Sequence, residues 1–301
     1  MKSTDNFEQL QSELKNFQEI AQYIMPAPGE IPTLKGIEVY GGTIPLNGTV
    51  GGDHIIYVDF KKRYDLNARI RQASAEGRVD VTNHLEWCKR KAGIAILDVS
   101  GHHATDGLLA AMMHQSFLLG VTYELDMYGN VTKRLFENLN TRFYHSSSLN
   151  KFVTMIYGEI SEDTTFRFLS AAHPPPVVFS NQHDRIMEVS QDFCTSCPPI
   201  GTLPSLDVID HSTTQSVLGF KERYQLNEWK LMGTGDILLL YTDGLLEHGD
   251  GNESYFPRHL EAKVREVKHL NARGIFEGIK SHLLGFAEPT DDISFVIIKR
   301  T

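Results

Sequence analysis

Asp98 closes the apolar run Ile94-Ala95-Ile96-Leu97 and leads into Val99-Ser100-Gly101-His102-His103, after which apolar residues return from Leu108 to Met113. That order describes a buried strand, a tight turn and a helix packed back against the sheet. A carboxylate delivered by such a strand must be solvated, paired or bound to metal, because burying it bare is costly. Other acids share the setting. Gly51-Gly52-Asp53 precedes the apolar stretch Ile55 to Phe60, Ile237 to Tyr241 ends in Thr242-Asp243-Gly244, and Asp291-Asp292 precedes Ile293 to Ile298. One such acid is ordinarily a turn former or a helix N-cap. Several at strand ends suit hard divalent cations, which take oxygen ligands, and a two-metal site, which needs carboxylates to bridge and flank both ions. Spacing alone leaves both roles open.

The elements that must position these acids are legible as periodicities. Residues 3–24 carry Phe7, Leu10, Leu14, Phe17, Ala21 and Ile24 at spacings of three and four, an amphipathic helix that Met25-Pro26-Ala27-Pro28 then stops. Its short stripe suits docking on the body or on a second copy. Strands are expected over 37–43 and 55–60, and residues 61–92, basic and poor in apolar anchors, read as an inserted surface loop with a helix around 66–75. A helix over 130–144, strands over 152–160, 165–171, 177–179 and 186–189, helices over 257–268 and 272–284 and a last strand over 293–298 complete the reading.

Composition narrows the class. The 301 residues are 41% hydrophobic and 22% charged, ordinary for a globular protein with ample core. No apolar run reaches the length of a membrane span and the N-terminus is polar, so a cytoplasmic protein without membrane contact is expected. A net charge of −9 with no Lys/Arg cluster argues against a nucleic-acid surface. Three cysteines suit a reducing compartment. Cys194-x-x-Cys197 is followed at once by Pro198-Pro199, so no helix opens there as a redox pair would require, and reduced, partly buried thiols are the expectation.

Taken in order, Gly51-Gly52-Asp53, Asp98-Val99-Ser100-Gly101-His102, Ser170-Ala171-Ala172-His173-Pro174-Pro175-Pro176, Gly235-Asp236 through Tyr241-Thr242-Asp243-Gly244, and Asp291-Asp292-Ile293-Ser294 resemble the motifs of the SpoIIE/RsbU branch of the PPM metal-dependent serine/threonine protein phosphatases. The resemblance covers about residues 25–300. It implies an α+β fold, an α-β-β-α four-layer sandwich with two antiparallel sheets, in which residues 1–28 form a regulatory or dimerising helix and linker. Residues 29–301 would form the phosphatase domain, with an insertion at about 61–92. It further implies two divalent cations, Mn²⁺ or Mg²⁺. Asp98 would bridge them, the Val99 carbonyl would ligate one, Asp53 would join one metal, and Asp243 and Asp291 would flank the other. Asp98 and Asp243 would be the catalytic pair. Asp291 is preferred to Asp292 because the family ligand is the first of its acid pair. Water rather than a cysteine or serine would attack phosphorus in line. The implied substrate is a phosphorylated protein, a STAS-type anti-sigma-factor antagonist in a partner-switching pathway.

The chain departs from that pattern in four places. His103 stands where a glycine usually follows the Gly-His pair, Asp106-Gly107 replaces small apolar residues at the helix start, Ile56 replaces an acid, and 61–92 is extra. The acid histidine of the wider superfamily follows its metal aspartate by two residues, a position held here by Ser100, so His102 is given a supporting role, and His173 that of a strand bend. Two rival functions follow: a non-catalytic binding module that keeps the fold, and a dinuclear hydrolase of a small phosphoester.

Overall fold

The computed structural model describes residues 11–13, 15–16, 19–20, 26–46, 51–101, 104–146, 151–187, 189, 193–206, 215–230 and 233–301. Eleven strands are found among them, β1 (Ile37–Ile44), β2 (His54–Asp59), β3 (Lys91–Val99), β4 (Val153–Ser161), β5 (Phe166–Ala171), β6 (Val177–Ser180), β7 (Arg185–Met187), β8 (Ser196–Cys197), β9 (Asn227–Trp229), β10 (Ile237–Tyr241) and β11 (Ile293–Arg300). One sheet runs β1-β11-β10-β6-β7 and the other β2-β3-β4-β5-β8, with β9 also paired to β5. All pairings are antiparallel except the two-residue β5–β8 contact.

Alternation explains why both faces of each sheet are covered. On β3, Ile94 and Ile96 point into a core shared with Val39, Leu238, Leu240, Val296 and Ile298 of the facing sheet. Their neighbours Ala95, Leu97 and Val99 point outward, onto the helical residues Met113, Phe117, Val121, Leu135 and Phe136. On the other sheet, Leu239, Phe295 and Ile297 meet the helical residues Leu260, Val264, Ile275, Phe276 and Ile279. The helices are α1 (Phe60–Arg63), α2 (Leu66–Ala75), α3 (Val79–Cys88), α4 (Ala104–Tyr128), α5 (Lys133–Ser146), α6 (Asp243–Glu247), α7 (Arg258–Val267) and α8 (Ala272–Phe286). Helix, sheet, sheet, helix is the expected four-layer order.

Residues 61–92 contain the helix expected around 66–75, here α2, and are helical beyond it where loop was expected. They are largely helical, because Leu66 and Ala73 of α2 and Val81, Leu85 and Cys88 of α3 are buried at helical spacing beneath an exposed basic face. Asp65 caps α2 by accepting from the Ala68 amide at 2.9 Å. The helix after Asp98 extends well past Met113, to Tyr128. Of the N-terminal helix, the described residues between 11 and 20 are helical and exposed, while Phe7, Leu10, Leu14, Phe17, Ala21 and Ile24 lie outside the described residues. The three cysteines are free thiols, Cys88 and Cys197 buried and Cys194 half-buried. Among the described residues no helix is long and apolar enough to cross a membrane.

The segment after Cys197 carried no periodic signal and is held by polar contacts instead. Glu137 of α5 pairs with the buried Lys221 at 2.8 Å, accepts from the Tyr224 amide at 2.7 Å and also accepts from the Ser205 hydroxyl. Asn140 donates to the Leu203 carbonyl at 2.8 Å and accepts from the Gly201 amide at 3.0 Å. Buried polar groups satisfied this fully fix one conformation for a chain that has no regular hydrogen-bond ladder.

Candidate metal centre

Antiparallel pairing brings the acids to one edge of both sheets. On the second sheet His54 pairs with Leu97, so Asp53, just before β2, arrives beside Asp98 near the end of β3. The Val99 amide donates to the Gly52 carbonyl at 3.3 Å, extending that ladder into the turn. On the first sheet Tyr241 pairs with Phe295, which sets Thr242-Asp243 against Asp291-Asp292. The four expected acid ligands therefore come two from each sheet.

Hydrogen bonds clasp the two sheets at this edge. Asp292, buried, accepts from the Leu46 amide at 2.7 Å and the Gly52 amide at 2.8 Å. Thr242 donates its hydroxyl to Asp53 at 2.7 Å while accepting from the Ser294 amide at 3.0 Å. The glycines are required by closeness rather than by flexibility. A Cβ on Gly51 would lie 2.0 Å from an Asp292 carboxylate oxygen, and one on Gly52 would lie 2.5 Å from the Gly101 carbonyl and 2.7 Å from that of Val99. Asp291 is half-buried, and one of its oxygens accepts from the Asp292 amide at 2.8 Å. Of the Asp291-Asp292 pair, then, the second takes both the Leu46 and the Gly52 amides, and the first takes only that of its neighbour.

The electrostatics reflect that crowding. Burial pushes the Asp98 carboxyl up from 3.8 to about 7, and the negative charges of Asp243, Asp291, Asp292 and Asp106 push the same way. Asp53 is raised well above its ordinary value, first by burial and then by Asp98, against the Thr242 hydrogen bond that lowers it. Asp243 is raised by burial, then by Asp291 and Glu247. Mutual repulsion among carboxylates presented on rigid strand ends is what a divalent cation relieves, and the donors are hard oxygens. In chemistry the set fits such ions. Among the described residues, however, no three histidine, cysteine, aspartate or glutamate side chains are drawn into a cluster able to grip one ion. The acids share an edge and a field without being closed up.

Several neighbours escaped sequence reasoning. His54 and His114, the latter from α4, are hydrogen-bonded ring to ring at 2.7 Å, and burial lowers them to about 3 and about 4, so the pair is neutral. The adjacency of His54 to Asp53 was the available signal; nothing marked His114 within an apolar helix. Thr242 and Asp292 were visible only as neighbours of ligands. Asp106, noted as an odd helix start, is fully buried and pairs with Lys151 at 3.0 Å. His173 serves the strand bend, its ring meeting the Thr154 hydroxyl at 3.0 Å and its carbonyl accepting from Ser170, just after Ala172 at φ 52°. His102 and His103 lie outside the described residues.

Comparison with known proteins agrees with this architecture. Residues 89–301 match the model of the family described as stage II sporulation protein E (SpoIIE). The chain is 26% identical over 176 residues to the phosphoserine phosphatase RsbP of Bacillus subtilis, covering 58% of this chain and 38% of that protein. Among solved structures it resembles the RsbU and RsbW domains of Rv1364c from Mycobacterium tuberculosis, with a TM-score of 0.62 at 17% identity over 90% of this chain and 61% of that one. It also resembles the SiaA-PP2C domain of Pseudomonas aeruginosa, with a TM-score of 0.61 at 13% identity over 99% of each chain. The fold is thus that of the PP2C (PPM) phosphatases, and the chain spans well under two thirds of the length of RsbP.

Proposed function

The chain belongs to the SpoIIE family, and on that premise we propose that it is a metal-dependent protein phosphatase acting on phosphoserine or phosphothreonine. The observation that carries the reading is that Asp53 and Asp98 from one sheet and Asp243 and Asp291 from the other stand at one edge, where burial first, and then the charges of Asp243 and Asp291, raise Asp98 to about 7. In this reading Asp53, Asp98, the Val99 carbonyl, Asp243 and Asp291 would hold two divalent cations, Mn²⁺ or Mg²⁺, with Asp98 shared between them. Bound there, the cations supply Lewis acidity toward the phosphoryl oxygens and lower the pKa of the attacking water. Thr242 holds Asp53 in one rotamer, and Asp292 keeps the two sheets in register at the edge. Gly51 and Gly52 let the backbone approach closely enough for both.

The proposed substrate is a phosphorylated STAS-type antagonist in a cytoplasmic partner-switching pathway. The helix and linker of residues 1–28 would regulate the phosphatase or pair two copies of it. The test is hydrolysis of p-nitrophenyl phosphate and of a phosphorylated STAS domain with Mn²⁺ and with excess chelator. Turnover that requires Mn²⁺ and disappears in Asp98→Asn or Asp243→Asn supports the proposal, and equal turnover in chelator refutes it. Activity on nucleotides exceeding that on the phosphoprotein would move the substrate to a small phosphoester.

A further inference from the structure

The first turn of α4 places a fully buried acid, Asp106, directly behind the turn that follows Asp98 and Val99. Its carboxylate pairs with Lys151 at 3.0 Å, and the Lys151 ammonium also donates to the Ser100 carbonyl. Ser100 is fixed from the same side, its amide donating to the Phe152 carbonyl at 3.1 Å and its hydroxyl accepting from the Phe152 amide at 3.2 Å. The fit over Gly101 is tight. That residue has φ +115°, and a Cβ there would lie 2.6 Å from both the Asp106 carboxylate and the Lys151 ammonium. The pair thus caps the turn beside the candidate centre, with Lys151 partly exposed and Asp106 sealed from water.

We propose that the Asp106–Lys151 pair sets the cation affinity of the Asp98 edge, Asp106 adding a buried negative charge to the site's field and Lys151 cancelling it while holding the Ser100–Gly101 turn. The inference rests on reading Asp98 and its companions as metal ligands. Two observations support it besides the contacts. Asp106 packs against Gly101, whose carbonyl and an Asp98 carboxylate oxygen both crowd Gly52, lying 2.5 Å and 3.4 Å from where its Cβ would be, so the acid stands just behind the Asp98 edge. A buried carboxylate is also screened little by solvent or salt, so its neutralisation depends on a specific partner. Asp106 and Lys151 act here as positioning residues, through the turn and through charge.

An electrostatic role and a mere staple differ in sign. Removing the cation exposes Asp106 to the site, so Lys151→Gln binds Mn²⁺ more tightly, by roughly threefold to tenfold. Removing the acid leaves Lys151 facing the site, so Asp106→Asn binds Mn²⁺ more weakly, by a factor of about the same size. The double variant returns to within about twofold of wild type, because the two effects cancel. Lys151→Arg keeps the charge and the wild-type affinity, and the contrast between Gln and Arg at 151 decides the matter should Asp106→Asn fail to fold. The measurement is calorimetric titration of the full chain with Mn²⁺, with thermal melts to establish folding. Weaker binding in both single variants, or no change in either, overturns the inference. So does unchanged Mn²⁺ affinity in Lys151→Gln with a raised KM, which would make Lys151 a substrate contact. A wild-type chain that binds no Mn²⁺ overturns the metal-site reading and this inference together, whereas binding with same-direction shifts overturns this inference alone.

Discussion

Replacing Asp98 with asparagine should stabilise the metal-free chain while destroying its response to metal. The Asp98 carboxyl stands at about 7 in the fold against an ordinary 3.8. Because the folded-state value is the higher one, ionising Asp98 costs stability. The full stability is present below about pH 4 and is lost as pH rises through about 7. The difference corresponds to roughly 4 kcal/mol by about pH 8. Asparagine carries no charge to repel Asp243, Asp291 and Asp292, yet its amide must still be desolvated and hydrogen-bonded, which leaves a net gain of about 1–3 kcal/mol. For a chain of this size that is a rise in melting temperature of about 2–5 °C near pH 8. Near pH 5, where wild-type Asp98 already holds its proton, the two proteins should melt together. Adding Mn²⁺ at a hundred times its dissociation constant should stabilise the wild type by about 2.7 kcal/mol and the variant by little, so the order of stability closes or inverts. Thermal melts of both proteins at the two pH values, in chelator and in Mn²⁺, read all of this. A variant less stable than wild type by the same amount at both pH values, or stabilised equally by Mn²⁺, would refute the reasoning.

The Asp291-Asp292 pair should divide by role. Asp292→Asn can offer only one oxygen where two backbone amides now donate, and should lose about 2–3 kcal/mol in urea denaturation. Asp291→Asn removes a charge that raises both Asp98 and Asp243, and should be at least as stable as the wild type in chelator while losing Mn²⁺ binding in calorimetry. Far from the centre, Lys221→Met strips the cation from a Glu137 carboxylate that is also bonded to Tyr224 and Ser205, and should cost about 3–5 kcal/mol, measured as a lowered urea midpoint.

Much of this molecule is written in local pattern. The strands that carry Asp98 and Asp243, and the one that follows Asp291-Asp292, are continuous apolar runs, because both faces of their sheets are covered. Such runs bounded by glycine and acid are readable without any fold. The helices α7 and α8 were legible for the complementary reason, each having one apolar face at a helical period. Within residues 61–92 the helix around 66–75 was legible, whereas α3 read as loop because its inward residues Val81, Leu85 and Cys88 are set among polar ones. The stretch beyond Cys197 has no period to read, being held by Glu137, Asn140 and Lys221 through contacts more than sixty residues apart in sequence.

The acids themselves, their glycine companions and the order of the motifs are properties of the sequence, since each depends on a residue type next to a strand end. Which acid does what is decided by tertiary structure. Asp291 and Asp292 are adjacent and chemically identical, yet Asp292 accepts from the Leu46 and Gly52 amides, while the charge of Asp291 acts on both Asp98 and Asp243. Asp106 looked like an exception at a helix start until the fold sealed it beside Lys151. A carboxylate's role follows from the charges and donors within a few ångströms of it, and those arrive from strands and helices distant in the chain.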